Sequence, residues 1–219
     1  MAMGGVALVL SYVVLWMIEQ VTGTPLVEVL LQVVAPTAGV QYVIWQIVGN
    51  LVTFFLFLVV VRLTPLAAYH GAEHKVVHAI ERYGYPTREI AREMPRVHPR
   101  CGTTLLAGIL PAFLIAAPLL LVAPVLALIV VLLGWSFRYA VGGVIQQYLT
   151  TKEPNDKQLA AGLDAGHKLL DDWRRNPHRK PSVVVSLWHR GFVQLLIGVL
   201  VGSQLLQWVY QHLHIWLDW

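Results

Sequence analysis

The sequence predicts an all-α integral membrane protein of about five transmembrane helices, with small helical cytoplasmic segments that carry a metal site. Three observations lead there. Hydrophobic residues make up 57% of the 219 and charged residues only 13%, with a mean hydropathy of +0.61, well above the roughly 45–50% apolar share of a soluble domain. The apolar residues gather into membrane-length blocks. All sixteen Lys and Arg fall in two segments, seven within 62–102 and nine within 138–190.

The chain divides as a single membrane domain over 1–219, with spans at about 5–21, 40–63, 103–121, 124–142 and 191–210 and cytoplasmic segments at 64–102 and 143–190. The first span reaches full length only across Glu19. Pro25 to Val34 is too short to cross about 30 Å of hydrocarbon and ends at Ala35-Pro36-Thr37, which predicts an interfacial or re-entrant turn. Val40 to Leu63 is a clear span, with Arg62 near its end. The block from Thr103 to Tyr139 is too long for one crossing, and the Val122-Ala123-Pro124 break predicts a two-helix hairpin. Positive loops favour the cytoplasm, so both basic segments belong on one side, with an even number of crossings between them. The N-terminus is then cytoplasmic and the C-terminus outside.

Within the cytoplasmic segments, Ala68 to Arg82 has the pattern of an amphipathic helix stopped at Tyr83-Gly84-Tyr85-Pro86. Thr87 suits the cap of a shorter helix running to Met94. Gln158 to Trp173 is apolar in helical register, with Pro154 placed for a first helical position. One cysteine excludes an internal disulfide, and the N-terminus lacks the basic region of a cleaved signal peptide. Basic residues beside spans point to membrane lipids as partners rather than nucleic acid.

The chemistry concentrates between Tyr69 and Thr103. His70, Glu73 and His74 spell H-x-x-E-H, the inverted zinc-protease motif, in which two histidines a turn apart hold the metal and the glutamate serves as general base. His98 and Cys101 offer an imidazole and a thiolate from one short turn, so either or both can complete a site for Zn2+ or another divalent transition metal. His78 continues the i, i+4 stripe, and Glu153 is a further acid. These two stand as further ligands or as partners that orient the ligands. Arg96 and Arg100 read first as interfacial positive charges and second as groups that bind a phosphate or carboxylate of a substrate.

Tyr-His-Gly-Ala-Glu-His-Lys at 69–75, His-Pro-Arg-Cys-Gly-Thr at 98–103 and Leu-Thr-Thr-Lys-Glu-Pro-Asn-Asp at 149–156 resemble, in order, three signatures of the YqhQ-like family. Those are bacterial membrane proteins of unknown function described as predicted metal-dependent enzymes. The resemblance covers roughly residues 40–175 and implies a cytoplasmic-face metal site drawn from all three motifs. Where this chain has His78, the family is expected to carry a small polar amide.

Two function classes follow. One is a membrane-embedded zinc hydrolase, foremost a peptidase at the cytoplasmic face, with Glu73 as base and a peptide or lipid-linked substrate. The other is a non-enzymatic membrane protein whose His/Cys site holds its loops together, as an assembly subunit or metal-responsive element. Both leave room for a homo-oligomer or a partner membrane protein. A transporter ranks third, because the spans lack paired charges.

Overall fold

The computed structural model describes residues 2–31 and 39–177, with scattered positions between 197 and 212. Every regular element among them is helical: α1 Ala2–Thr22, α2 Leu26–Leu30, α3 Val40–Leu63, α4 Leu66–Tyr83, α5 Arg88–Glu93, α6 Gly102–Leu119, α7 Pro124–Ile145 with a π-helical turn Gln146–Thr150, and α8 Asp156–Arg175.

The five-span expectation is corrected. Among the described residues only α3 and the continuous stretch Pro124–Thr150 are long and apolar enough to cross a membrane. The apolar parts of α1 and α6, Leu8–Thr22 and Thr104–Leu119, are shorter helices. The full helices have 21 residues in α1 and 18 in α6, rises of about 32 and 27 Å. The predicted span 191–210 and the break at 35–37 fall largely or wholly outside the described residues. The Val122-Ala123-Pro124 break does separate two helices: α6 stops at Leu119 and Pro124 opens α7, where the missing proline N–H leaves no helical bond unmade.

The chain forms two compact units, 1–60 with 111–132 and 182–219, and 61–110 with 133–181. In the first, Gly23 ends α1 at φ 67°, and the buried Glu19 accepts a 2.6 Å hydrogen bond from Val27 N–H at the start of α2. Leu15, Leu26, Val27 and Leu31 form its buried core.

The second unit carries the chemistry. α4 packs on α8 through small residues. A Cβ on Gly166 would sit 2.5 Å from Val76 Cγ1, and one on Gly162 would sit 3.3 Å from Ala72 Cβ. Ala72, Val76, Ala79, Ala91, Met94, Leu159 and Leu163 fill the space between α4, α5 and α8, where full burial of each larger side chain contributes about 1.5–3 kcal/mol. Gly84 ends α4 at φ 77°, its N–H donating to Ile80 O. Thr87 caps α5 by accepting from Ile90 N–H at 3.3 Å, and α5 stops at Glu93, one residue before the expected end. α8 begins two residues earlier than its apolar register indicated. Its cap is Asn155, so Pro154 lies before the helix rather than at its first position. Asn155 forms a reciprocal box with Gln158 at 2.9 Å in both directions, which satisfies two otherwise orphaned N–H groups.

Candidate metal centre

The site is built from one stripe of α4 and two segments laid against it. His70, His74 and His78 follow at i, i+4 on the stripe. The first segment, 95–101, turns back so that Cys101 N–H bonds His98 O at 3.2 Å. The second follows the π turn. Thr151 N–H and Oγ–H both donate to Gln146 O, at 3.0 and 2.7 Å. Lys152 N–H donates to Ala67 O at 2.7 Å, and the Arg62 guanidinium holds the Thr151 carbonyl. Gly71 is what lets this strand of backbone close on the helix, since a Cβ there would meet Lys152 O at 2.1 Å.

Both segments present carbonyls to the histidines. Nδ1 of His70 lies 3.0 Å from Thr150 O, and Nδ1 of His74 lies 2.7 Å from Arg96 O. A carbonyl only accepts, so both rings carry their proton on Nδ1 and keep the Nε2 lone pair. His70 Nε2 faces Cys101 Sγ at 3.5 Å, and the His70 and His74 ring centroids are 4.3 Å apart. The ligand atoms of His70, His74 and Cys101 all lie within 4.8 Å of one another. A tetrahedral ion with the usual Zn–N and Zn–S lengths needs them at about 3.4–3.7 Å, a small contraction. Backbone-anchored Nδ1–H groups are how metal-ligating histidines are normally oriented. The residues therefore fit a zinc-type ion held by two nitrogens and one sulfur, with a fourth position not filled by any of them.

Burial works to lower the His70 pKa, but the hydrogen bonds to Cys101 and the Thr150 carbonyl, with the charges of Cys101 and Glu73, outweigh it, and the net shift is upward.

Of the residues singled out in the sequence, the fold groups His70, His74 and Cys101. His98 goes elsewhere. Its Nε2 lies 3.2 Å from Glu81 Oε2, its Nδ1 accepts from Arg100 N–H at 3.2 Å, and its own N–H donates to Gln146 Oε1 at 2.7 Å. His78 joins it, ring centroids 4.6 Å apart, so His78, Glu81 and His98 form a second group of ligand-type side chains. The His98 hydrogen bond, then the nearby His98 and Arg100 charges, hold the Glu81 carboxyl below its usual range. Glu73 is exposed on α4 and belongs to neither group.

Glu153 stands apart from both. It pairs with the buried Lys75 at 2.7 Å and with Arg96 at 3.4 Å. Lys75 also donates to Arg92 O at 2.9 Å, so these charges tie α4 to 92–96 and to 153. Arg96 further donates to Gln147 O at 3.2 Å. Arg100 is exposed and lies 3.5 Å from Glu81 Oε1. Glu81 was not singled out in the sequence, although its i+3 spacing from His78 is a visible signal. Thr150, which supports the site through its main-chain oxygen, lies in the third motif, whereas Gln146, which supports it through a side-chain oxygen, carries no such signal.

The profile of a family described as "Protein of unknown function (DUF1385)" matches residues 2–140, which include the first two motifs and end before the third. A curated relative, the uncharacterized protein YqhQ of Bacillus subtilis (strain 168), is 32% identical over 148 residues, covering 55% of this chain and 46% of that protein. The chain thus spans about half the length of the relative it matches. No solved structure matches it.

Proposed function

The chain belongs to the DUF1385 family, whose description assigns no reaction, and from its own side chains we propose a membrane-embedded, metal-dependent hydrolase. Its ligands are His70, His74 and Cys101, and Glu73 is its general base. The observation that carries this reading is the pair of Nδ1–H bonds to Arg96 O and Thr150 O, which leaves both Nε2 lone pairs available, that of His70 facing the Cys101 thiol at 3.5 Å. Three protein ligands leave a coordination position for water or substrate, the arrangement of catalytic rather than closed structural zinc sites.

A divalent ion bound there supplies Lewis acidity and lowers the pKa of water toward about 7. Glu73, exposed and close enough for its charge to act on His70, takes the proton of the attacking water and returns it to the leaving group. Arg96 and Arg100 supply positive charge beside the site for an anionic part of the substrate. A peptide is the leading substrate, and a lipid-linked one is the variant.

The membrane setting rests on chain continuity. α3 ends three residues before α4, and α7 runs directly into the π turn, so two apolar helices lead into the site. Because Thr150 O bonds His70, the start of α4 and the end of α7 share one side, and an even number of crossings separates them. If α7 crosses, α6 crosses with it, despite its shorter apolar length. The basic residues of both segments favour the cytoplasmic side of a bacterial inner membrane.

A second reading keeps the metal but makes it a staple. It is favoured by the origin of the two carbonyl acceptors, one from each segment, so that an ion here ties both segments to α4. Glu73→Gln separates the two. As a hydrolase, the purified variant retains its metal and loses turnover of a fluorogenic peptide library or lipid-linked peptide by on the order of 10²–10⁴-fold. Unchanged turnover, or hydrolysis in metal-free protein, overturns the assignment.

A further inference from the structure

The second group, His78, Glu81 and His98, does nothing in the hydrolase reading. Its three ligand atoms lie within 4.8 Å of one another, as in the first group. We infer that His78, Glu81 and His98 form a second divalent transition-metal site, beside the first and separate from it.

The local chemistry argues for a cation. His78 Nε2 lies 2.9 Å from Val97 O, so the ring proton sits on Nε2 and Nδ1 keeps its lone pair. This is again a ring fixed by a backbone carbonyl, here through the opposite nitrogen. Glu81 follows one turn later on the same face of α4 and brings a carboxylate oxygen to His98 Nε2 at 3.2 Å. Arg100 reaches only the other oxygen, at 3.5 Å, and its side chain is 79% exposed, so it can swing into water when a cation arrives. His98 is 5% exposed and held from behind by Gln146 Oε1, which fixes the position of the third donor.

Binding requires one rearrangement, and it balances. Without an ion, His98 carries its proton on Nε2, donating to Glu81, and accepts from Arg100 N–H on Nδ1. With an ion on Nε2 the ring carries that proton on Nδ1 instead, and the Arg100 amide, on an exposed turn, bonds water. The net proton count of the ring does not change. Two 3.2 Å hydrogen bonds, His98 to the Glu81 carboxylate and the Arg100 amide to His98, give way to three metal–ligand bonds.

The two groups differ in donor set. Two nitrogens and a thiolate suit a soft or borderline ion such as zinc, whereas two nitrogens and a carboxylate, with open positions, suit zinc, manganese or iron(II). The rings form one line, His70 to His74 to His98 to His78, with centroid separations of 4.3, 5.8 and 4.6 Å. A second ion therefore lies next to the first along α4, placed to bind a second oxygen of the same substrate. That role rests on the hydrolase reading, but the site itself does not.

The test uses the full chain in detergent and Co2+ as the probe, with stoichiometry from equilibrium dialysis and metal analysis. A thiolate-to-cobalt charge-transfer band reports the Cys101 site alone. Two ions per chain are expected, falling to one in Glu81→Ala and in His78→Ala with the thiolate band intact. Glu81 is exposed, so its variant folds even if the His78 variant does not. Cys101→Ser should lose the band and keep the Glu81-dependent ion. One ion per chain, with the band and unaffected by Glu81→Ala, overturns the second site while leaving the hydrolase centre standing. One ion without the band, lost in Glu81→Ala, sustains the second site and removes the first. No ion in wild type overturns both.

Discussion

The carbonyl oxygen of Lys152 lies where the Cβ of residue 71 would be, 2.1 Å from that position, and Gly71 is the residue between His70 and Ala72 in the metal motif. A glycine inside a helix normally destabilises it by roughly 0.5–1 kcal/mol relative to alanine. Here it admits the backbone that delivers Thr150 O to His70.

Gly71→Ala should therefore destabilise by about 1–3 kcal/mol, as overpacking does, because the obstructing atom is main chain and no side chain can rotate away. Since segment 150–153 must shift, His70 loses its acceptor, and metal affinity should fall about 10- to 100-fold. Gly84→Ala is the control. It strains a left-handed residue at φ 77° with nothing within 4 Å, by roughly 1–2 kcal/mol, and leaves metal affinity alone. Thermal melts and zinc titration of both variants check this. Equal metal affinity in wild type and Gly71→Ala would show that the Thr150 contact does not orient the ligand.

Acid should weaken the ion pairs between α5 and α8. Arg92, first, and Arg88 hold the exposed Asp156 carboxyl below its usual range, with the Arg88 contact at 2.9 Å. A carboxyl depressed in the folded chain contributes stability that is fully present above its unfolded pKa, about 3.9, and is lost as pH falls through the folded value. Melting temperatures of wild type and Asp156→Asn should thus differ at pH 7 and converge below about pH 4. A gap that persists in acid would assign the effect to helix-start hydrogen bonding instead. The gap should also shrink in high salt, because the pair is exposed.

What could be read from the sequence was local. The i, i+4 spacing of His70, His74 and His78, the glycine stop at 84 and the Thr87 cap are each set within one or two helical turns, and the helices form over them. The partition of His98 and Cys101 between two groups was not legible, because it depends on a short turn in which a single bond, Cys101 N–H to His98 O, sends the two side chains different ways. Nor was the π turn, since no residue among 146–150 marks a widened register. The segment after it docks through Gly71, a contact across about eighty positions of sequence.

The remaining prediction concerns the crossings. α6 has 18 residues, Gly102–Leu119, and about 27 Å of rise, yet His70 and Thr150 meet, so α6 and α7 cross together or neither does. Close backbone approach argues that they act as a pair. Cβ atoms on Gly108 and Gly142 would sit 1.8 Å from Arg138 O and 1.9 Å from Thr104 O, the small-residue contact by which membrane helices associate. On a Cys101→Ser background, single cysteines at 85 and 177 should react with an impermeant maleimide only in inverted vesicles, and one at 122 only from outside intact cells. The 120–123 turn then extends α6 enough to reach the far interface, with local bilayer thinning covering the mismatch. Labelling of 122 from the same side as 85 and 177 would mean that neither helix crosses, leaving α3 as the one described span in the membrane. Opposite-side labelling of 85 and 177 would break the site itself, since its three segments could not meet.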